Sequence, residues 1–147
     1  MAEPFELRWF RTELYWFRTK QSKGIDMQTE TLKSRHEVPG ARAVVLFGGN
    51  PHMRDHVVRY LGPRLNVTVV GALSEEEGFA TLEALRDRVG AVLIGGRYDE
   101  TQRRRIRAFV AKSFAGVHVS EPGVNFPYDE ELIVRDLGAA LGQVSHA

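Results

Sequence analysis

Two glycine pairs close apolar runs in this 147-residue chain: Gly48 and Gly49 end "AVVLFGG", and Gly95 and Gly96 end "GAVLIGG". A strand that turns into a helix offers free amides and a positive helix end, which together attract phosphate. Asn50, Arg97 and Ser120 are the polar groups to add to such a loop. Gly48, Gly49, Asn50, Gly95, Gly96, Arg97 and Ser120 are therefore the candidates for binding a nucleotide or another phosphorylated ligand. The pattern is incomplete. "GGNPHM" lacks the third glycine of a dinucleotide fingerprint, and the next apolar run ends near Gly71 rather than in an acid for a ribose. No Walker lysine follows, and Pro51 removes one amide from the cradle. The competing reading is that glycine suits a tight turn.

Other reactive types are sparse. His52 and His56 are four apart on a helix and could share a metal, but Met, Arg and Asp lie between them and no zincin glutamate is present. Solvation is the simpler fate for both. His118 sits in an apolar strand and reads as a hydrogen-bonded core histidine. There is no cysteine, hence no thiol nucleophile, thiolate metal site or disulfide. "RRRIR", Arg103 to Arg107, spreads over the wheel opposite Ile106 and Phe109, as a solvated helix face does. The formal charge of +1 argues against a nucleic-acid partner. "NVT" at Asn66 fits the glycosylation pattern, but no secretory signal accompanies it. No catalytic residue, metal or cofactor is expected.

The elements that would position these residues alternate from Ala41 onward. "ARAVVLFGG" is a strand buried on both faces. Asn50 caps the helix after it, Pro51 takes its first position, and Met53, Val57, Tyr60 and Leu61 form its apolar face. "NVTVVGAL" is a second strand. Ser74 and Glu77 then make a capping box for a helix burying Phe79, Leu82 and Leu85. "GAVLIGG" is the third strand, and the helix from Thr101 to Phe114 turns Ile106, Phe109 and Val110 inward. "GVHVS" is the fourth strand. Asp129 caps a last helix carrying Leu132, Ile133, Leu137 and Leu141. Such alternation predicts a three-layer α/β domain with a mostly parallel sheet and right-handed crossovers.

Residues 27–40 are polar and aperiodic and read as a linker. Before them, residues 1–26 hold a tandem repeat, "LRWFRTE" then "LYWFRTK". Leu7, Phe10, Leu14 and Phe17 take the a and d places of two heptads, with Trp9 and Trp16 off that seam. So short an apolar helix needs a surface to pack against. Its own domain, a homodimer or protein partner, and a membrane surface are the alternatives, as is a domain that starts at Met27.

"NPHMRDHVVRYLG" resembles the first helix of a bacterial response-regulator receiver domain. "GAVLIGGRYDE" is similar to the receiver's third strand and following turn, and "FPYDEELIVRDLGAAL" to its lysine-proline-aromatic turn and last helix. The resemblance spans roughly residues 41–141. It implies a receiver-like, flavodoxin-like sheet of order 2-1-3-4 within a domain of residues 41–147. It also implies that the functional positions are emptied. The Mg²⁺-holding acids fall on Gly48 and Gly49, the phospho-acceptor on Gly95 and the lysine on Phe126, while Ser120 stands for the small hydroxyl residue. Mg²⁺ asks for carboxylate oxygens, and acyl-phosphate formation needs a carboxylate nucleophile. Asp99 lies in the turn beyond the strand and does not replace it. Only six residues separate Ser120 from Pro127, so the domain is shortened after its fourth strand, with "GVNF" at most a brief fifth edge strand.

Composition agrees with one soluble domain: 43% hydrophobic and 27% charged residues are ordinary values. No apolar run reaches the ~20 residues of a membrane span, and the first twenty residues lack a signal peptide's apolar centre. The expectation is a cytoplasmic, non-enzymatic, non-phosphorylatable regulatory domain acting through protein–protein interaction. Phospho-ligand binding at the glycine turns, and assembly through the Trp-Phe repeat, are the alternatives.

Overall fold

A computed structural model describes residues 34–143. Leu7, Trp9, Phe10, Leu14, Trp16 and Phe17 lie outside the described residues. The chain divides into two units, and the described residues belong to the second, Ser34–Ala147.

After a first short strand, four strands and four helices alternate. They are β1 (Arg35–His36), β2 (Ala43–Phe47), α1 (Pro51–Leu65), β3 (Thr68–Ala72), α2 (Glu75–Leu85), β4 (Val89–Ile94), α3 (Glu100–Ser113), β5 (His118–Ser120) and α4 (Glu130–Ala140). A 3-10 turn at Arg86–Arg88 joins α2 to β4. The sheet order is β1-β3-β2-β4-β5. It is not the four-strand 2-1-3-4 sheet implied by the resemblance. Arg35 and His36, inside the stretch read as a linker, pair antiparallel with Val70 and Val69 and add an edge strand. The other four strands pair in parallel, in the order β3-β2-β4-β5. Two residues with no apolar run around them give no periodic signal, so β1 is invisible to pattern reading.

β2 is the central strand, and alternation along it builds two cores. Ala43, Val45 and Phe47 face α2 and α3, meeting Leu82, Ile106 and Val110. Val44 and Leu46 face α1 and α4, meeting Leu61, Ile133 and Leu137. Every residue of β2, β3 and β4 is buried, which is why these runs are continuously apolar. Phe47 also meets Phe79 and Tyr98 edge-on, at ring distances of 5.8 and 6.3 Å.

The helix caps are largely those the residue types dictate. Asn50 Oδ1 accepts from the amides of His52 and Met53, and Asp129 Oδ1 from those of Glu131 and Leu132. Ser74 Oγ accepts from Glu77 N, but Glu77 Oε1 takes the amide of Leu73 rather than of Ser74. The reciprocal capping box stands instead on α3, between Asp99 and Gln102. Beyond β5, "GVNF" forms no strand. Pro122 and Phe126 make an isolated bridge, and Gly123 N donates to Phe126 O, closing a turn that leads to α4. Gly123 holds a φ of 88°, which glycine adopts without strain.

Candidate functional site

The carboxyl ends of β2 and β4 bring both glycine pairs together. Gly95 N donates to Phe47 O at 2.8 Å, and Gly48 N donates to Ala72 O at 2.8 Å. Ser120 ends β5 one strand further out, in register with Leu93. Its side chain is buried, and its Oγ has no hydrogen-bond partner among the described residues.

What surrounds the glycines is arginine and tyrosine. The Arg54 stem lies across Gly48 and Gly71: a Cβ on Gly71 would stand 2.5 Å from Arg54 Cγ, and one on Gly48 would stand 3.5 Å from Arg54 Cβ. Arg97 covers Gly49, where a Cβ would meet Arg97 Cβ at 2.9 Å. A Cβ on Gly95 would meet Phe47 O at 3.1 Å, whereas Gly96 faces open space. Gly71 and Gly49 thus make room for side chains of the same chain, whereas a Cβ on Gly48 would sit at ordinary contact distance. Close approach explains Gly71 and Gly49 as well as any ligand would.

Arg103 organises the end of β4. Its Nη2 donates to Gly95 O at 2.7 Å, its Nε to Tyr98 O at 2.9 Å and its Nη1 to Glu121 Oε1 at 3.1 Å. Arg107 Nη1 reaches both oxygens of Glu121 at 2.9 Å, and its Nη2 reaches Glu100 at 2.6 Å. A buried guanidinium therefore holds the carbonyl of the residue on which the resemblance places a phospho-acceptor. Tyr98 completes the cover, its hydroxyl donating to Gly48 O at 3.2 Å. Burial pushes the Tyr98 phenol up to about 12, and the Glu75 and Glu77 carboxylates add to the shift. The phenol is a fixed donor at neutral pH.

Several residues differ in role from their sequence reading. Met53 is exposed, while Arg54 is buried in its place. Arg103 belongs to the buried stripe with Ile106 and Val110, and Arg105 binds Glu75 through two hydrogen bonds of 2.7 and 2.8 Å. "RRRIR" is therefore not a uniformly solvated face. His56 bonds Glu130 and His52 is exposed. His118 meets Asp136 at 2.9 Å with 40% of its side chain exposed, so it is a strand-to-helix link rather than a core histidine. Asp99 is the α3 cap. Phe126 packs against the α1–α4 core. Arg54, Tyr98, Arg103 and Glu121 were missed. Only Arg103 had a signal, because 103, 106 and 110 share one helical stripe.

Among the described residues no group of three or more His, Asp or Glu could hold a metal ion. None of the described helices is long and apolar enough to cross a membrane. No protein-family model, curated protein or solved structure matches the chain.

Proposed function

We propose that this is a receiver-like scaffold that has lost phosphoryl transfer and serves regulation through protein–protein interaction. One observation carries the reading. The strand ends where the resemblance puts carboxylates hold glycines, and Arg54, Arg97, Arg103 and Tyr98 fill the space around them. A site that must gather Mg²⁺ and a phosphoryl group needs acids and an approach. Here the acids are absent from those positions, and cationic stems occupy the approach. The fold and its two cores remain, which suits a part kept for its surface.

The test is incubation with acetyl phosphate and Mg²⁺, followed by intact-mass measurement, together with thermal melting in beryllofluoride. The expected result is an unmodified chain and an unchanged melting temperature. A phosphorylated species overturns the reading.

One observation favours the alternative of a phosphorylated ligand. Arg97 is exposed next to the Gly49 turn and forms no hydrogen bond or ion pair among the described residues. Against it, Asn50 Oδ1 already takes the two nearest amides of α1, and Pro51 supplies none. A melting shift with a nucleotide that disappears in Arg97→Ala would establish this alternative.

A further inference from the structure

β1 has only two residues, Arg35 and His36, both half-buried, and neither belongs to the apolar cores on the two faces of β2. Yet it covers the outer edge of β3, a strand of sequence TVVGA that is buried throughout. Arg35 and His36 stand in register with Val70 and Val69, and Gly71 N donates to Ser34 O at 2.9 Å. Cross-strand bonds alternate along an antiparallel pair, so Val69 and Gly71 are the amides that β1 shields. Left bare, an uncharged apolar strand such as β3 is an edge open to pairing with other chains.

Two glycines cut the seat for β1. A Cβ on Gly71 would stand 3.0 Å from Ser34 Oγ. A Cβ on Gly62, within α1, would overlap the His36 ring and stand 2.7 Å from His36 Cβ. Turning the ring does not relieve that contact, so His36 lies in place only because α1 has no side chain there. This accounts for a buried glycine inside α1, where it weakens the helix relative to alanine.

The chain is pinned just after β1. Thr68 Oγ1, fully buried, accepts from Val38 N at 2.9 Å and donates to Val38 O at 3.1 Å. Arg88 donates to the same oxygen at 2.8 Å and to Ala41 O at 3.2 Å. Ala41 N donates to Val38 O at 3.1 Å, closing a turn with Pro39 and Gly40 at its centre and a φ of 76° at Gly40. On the β1 side of this turn the charged contacts are the pairs of Glu37 with Arg35 and Arg88, all well exposed and so individually weak.

We propose that β1 is a releasable strap, which lifts off β3 as a unit while the four parallel strands stay folded. His36 over Gly62 is its catch, and the turn at residues 38–41, held by Thr68 and Arg88, is its hinge. Local opening of this kind is expected where few apolar contacts hold an element and its backbone bonds lie at an edge. Release uncovers the outer edge of β3, so the catch controls whether that edge is guarded.

The strap does not depend on the loss of phosphoryl transfer. The experiment is residue-resolved amide exchange by NMR on the full chain, corrected for intrinsic rates. In the parent, Val69 and Gly71 should exchange about tenfold or more faster than the slowest amides of β2 and β4. Gly62→Ala should speed these two by about tenfold again and leave β2 and β4 protected. His36→Gly removes what the new Cβ would strike, so adding Gly62→Ala to it should bring no further acceleration. Should Gly62→Ala fail to fold, His36→Ala carries the test, because it leaves α1 intact and should still accelerate Val69 and Gly71 alone. Exchange of these two amides as slow as that of the inner strands overturns the proposal, since β1 would then open only with the whole domain. So does a folded Gly62→Ala chain in which they are unchanged, or in which β2 and β4 accelerate equally. An equal effect of Gly62→Ala with and without His36→Gly overturns it too, because His36 would then not be the catch.

Discussion

Arg103 and Glu121 form an ion pair at 3.1 Å in which the two side chains are only 4% and 5% exposed. The pair ties α3 to the residue that follows β5, while Arg103 also holds the carbonyls of Gly95 and Tyr98. Removing one partner of a buried pair strands the other charge and typically costs about 3–5 kcal/mol. Glu121→Ala strands Arg103 and also removes the main partner of Arg107, so it should fall in that range in urea denaturation. Arg103→Met should cost less through the pair itself, since Arg107 still neutralises Glu121. A double-mutant cycle with Arg103→Met and Glu121→Ala should then show a coupling of about 1 kcal/mol or more. Additive effects would show that the pair contributes nothing beyond its separate contacts.

Two helical glycines should respond to alanine with opposite signs. In a helix interior the exchange ordinarily gains about 1 kcal/mol. A Cβ on Gly138 of α4 meets Leu65 Cδ2 at 3.7 Å, an ordinary contact, so Gly138→Ala should stabilise the domain by roughly that amount. On Gly78 of α2 the same atom would stand 2.0 Å from Phe47 Cε2, in the centre of the aromatic cluster. Phe47 is fully buried and cannot swing aside, so Gly78→Ala should cost about 1–3 kcal/mol despite the helix gain. Chemical denaturation of the two variants reads both signs, and a stable Gly78→Ala would mean that α2 sits further from the sheet.

Acid should weaken the contact between α2 and α3. The hydrogen bonds from Arg105 hold the Glu75 carboxyl below its ordinary 4.5, outweighing the opposing effect of burial. A depressed folded value favours the ionised, folded form. The contribution is complete above about 4.5, where the unfolded carboxylate is also ionised, and it is lost as pH falls through the lower folded value. Glu75→Gln should therefore lower stability near neutral pH, and parent and variant should converge as the solution is acidified below 4.5. Denaturation midpoints that stay equally far apart at low pH would exclude the Arg105 contact as the cause.

The parallel core was legible because three of its strands, β2, β3 and β4, are buried on both faces and say so in largely apolar runs. Asn50, Ser74 and Asp129 announced the starts of three helices by residue type alone. α1 was less legible. It passes through Gly62 and Pro63, which usually end a helix, and continues to Leu65, since Leu61 and Leu65 both lie in the core. Tertiary burial there overrides local preference. β1 escaped because two residues cannot show a period. At the candidate site, sequence located the glycine turns but not what fills them. Arg54 and Arg103 are buried through partners distant in the chain, and nothing in their immediate neighbours records that Gly71 or Glu121 will be opposite.

The phenol of Tyr98 offers a probe of whether the glycine turns are as closed as their contacts indicate. Its hydroxyl donates to Gly48 O, and burial raises it to about 12 from an ordinary 10.0. The folded domain thus prefers the neutral phenol, so its contribution is intact below about 10. As pH rises, the unfolded chain ionises first, and the contribution is lost progressively between about 10 and about 12. Tyrosinate absorbance of the folded chain should show one of the four tyrosines titrating near the upper limit. Tyr98→Phe should abolish that step. At neutral pH the same variant should lose about 0.5–1.5 kcal/mol with the hydrogen bond to Gly48, and the deficit should shrink as pH climbs past 10. If Tyr98 instead titrates at its ordinary value, water reaches its hydroxyl, and the turn beneath it is open to a ligand after all.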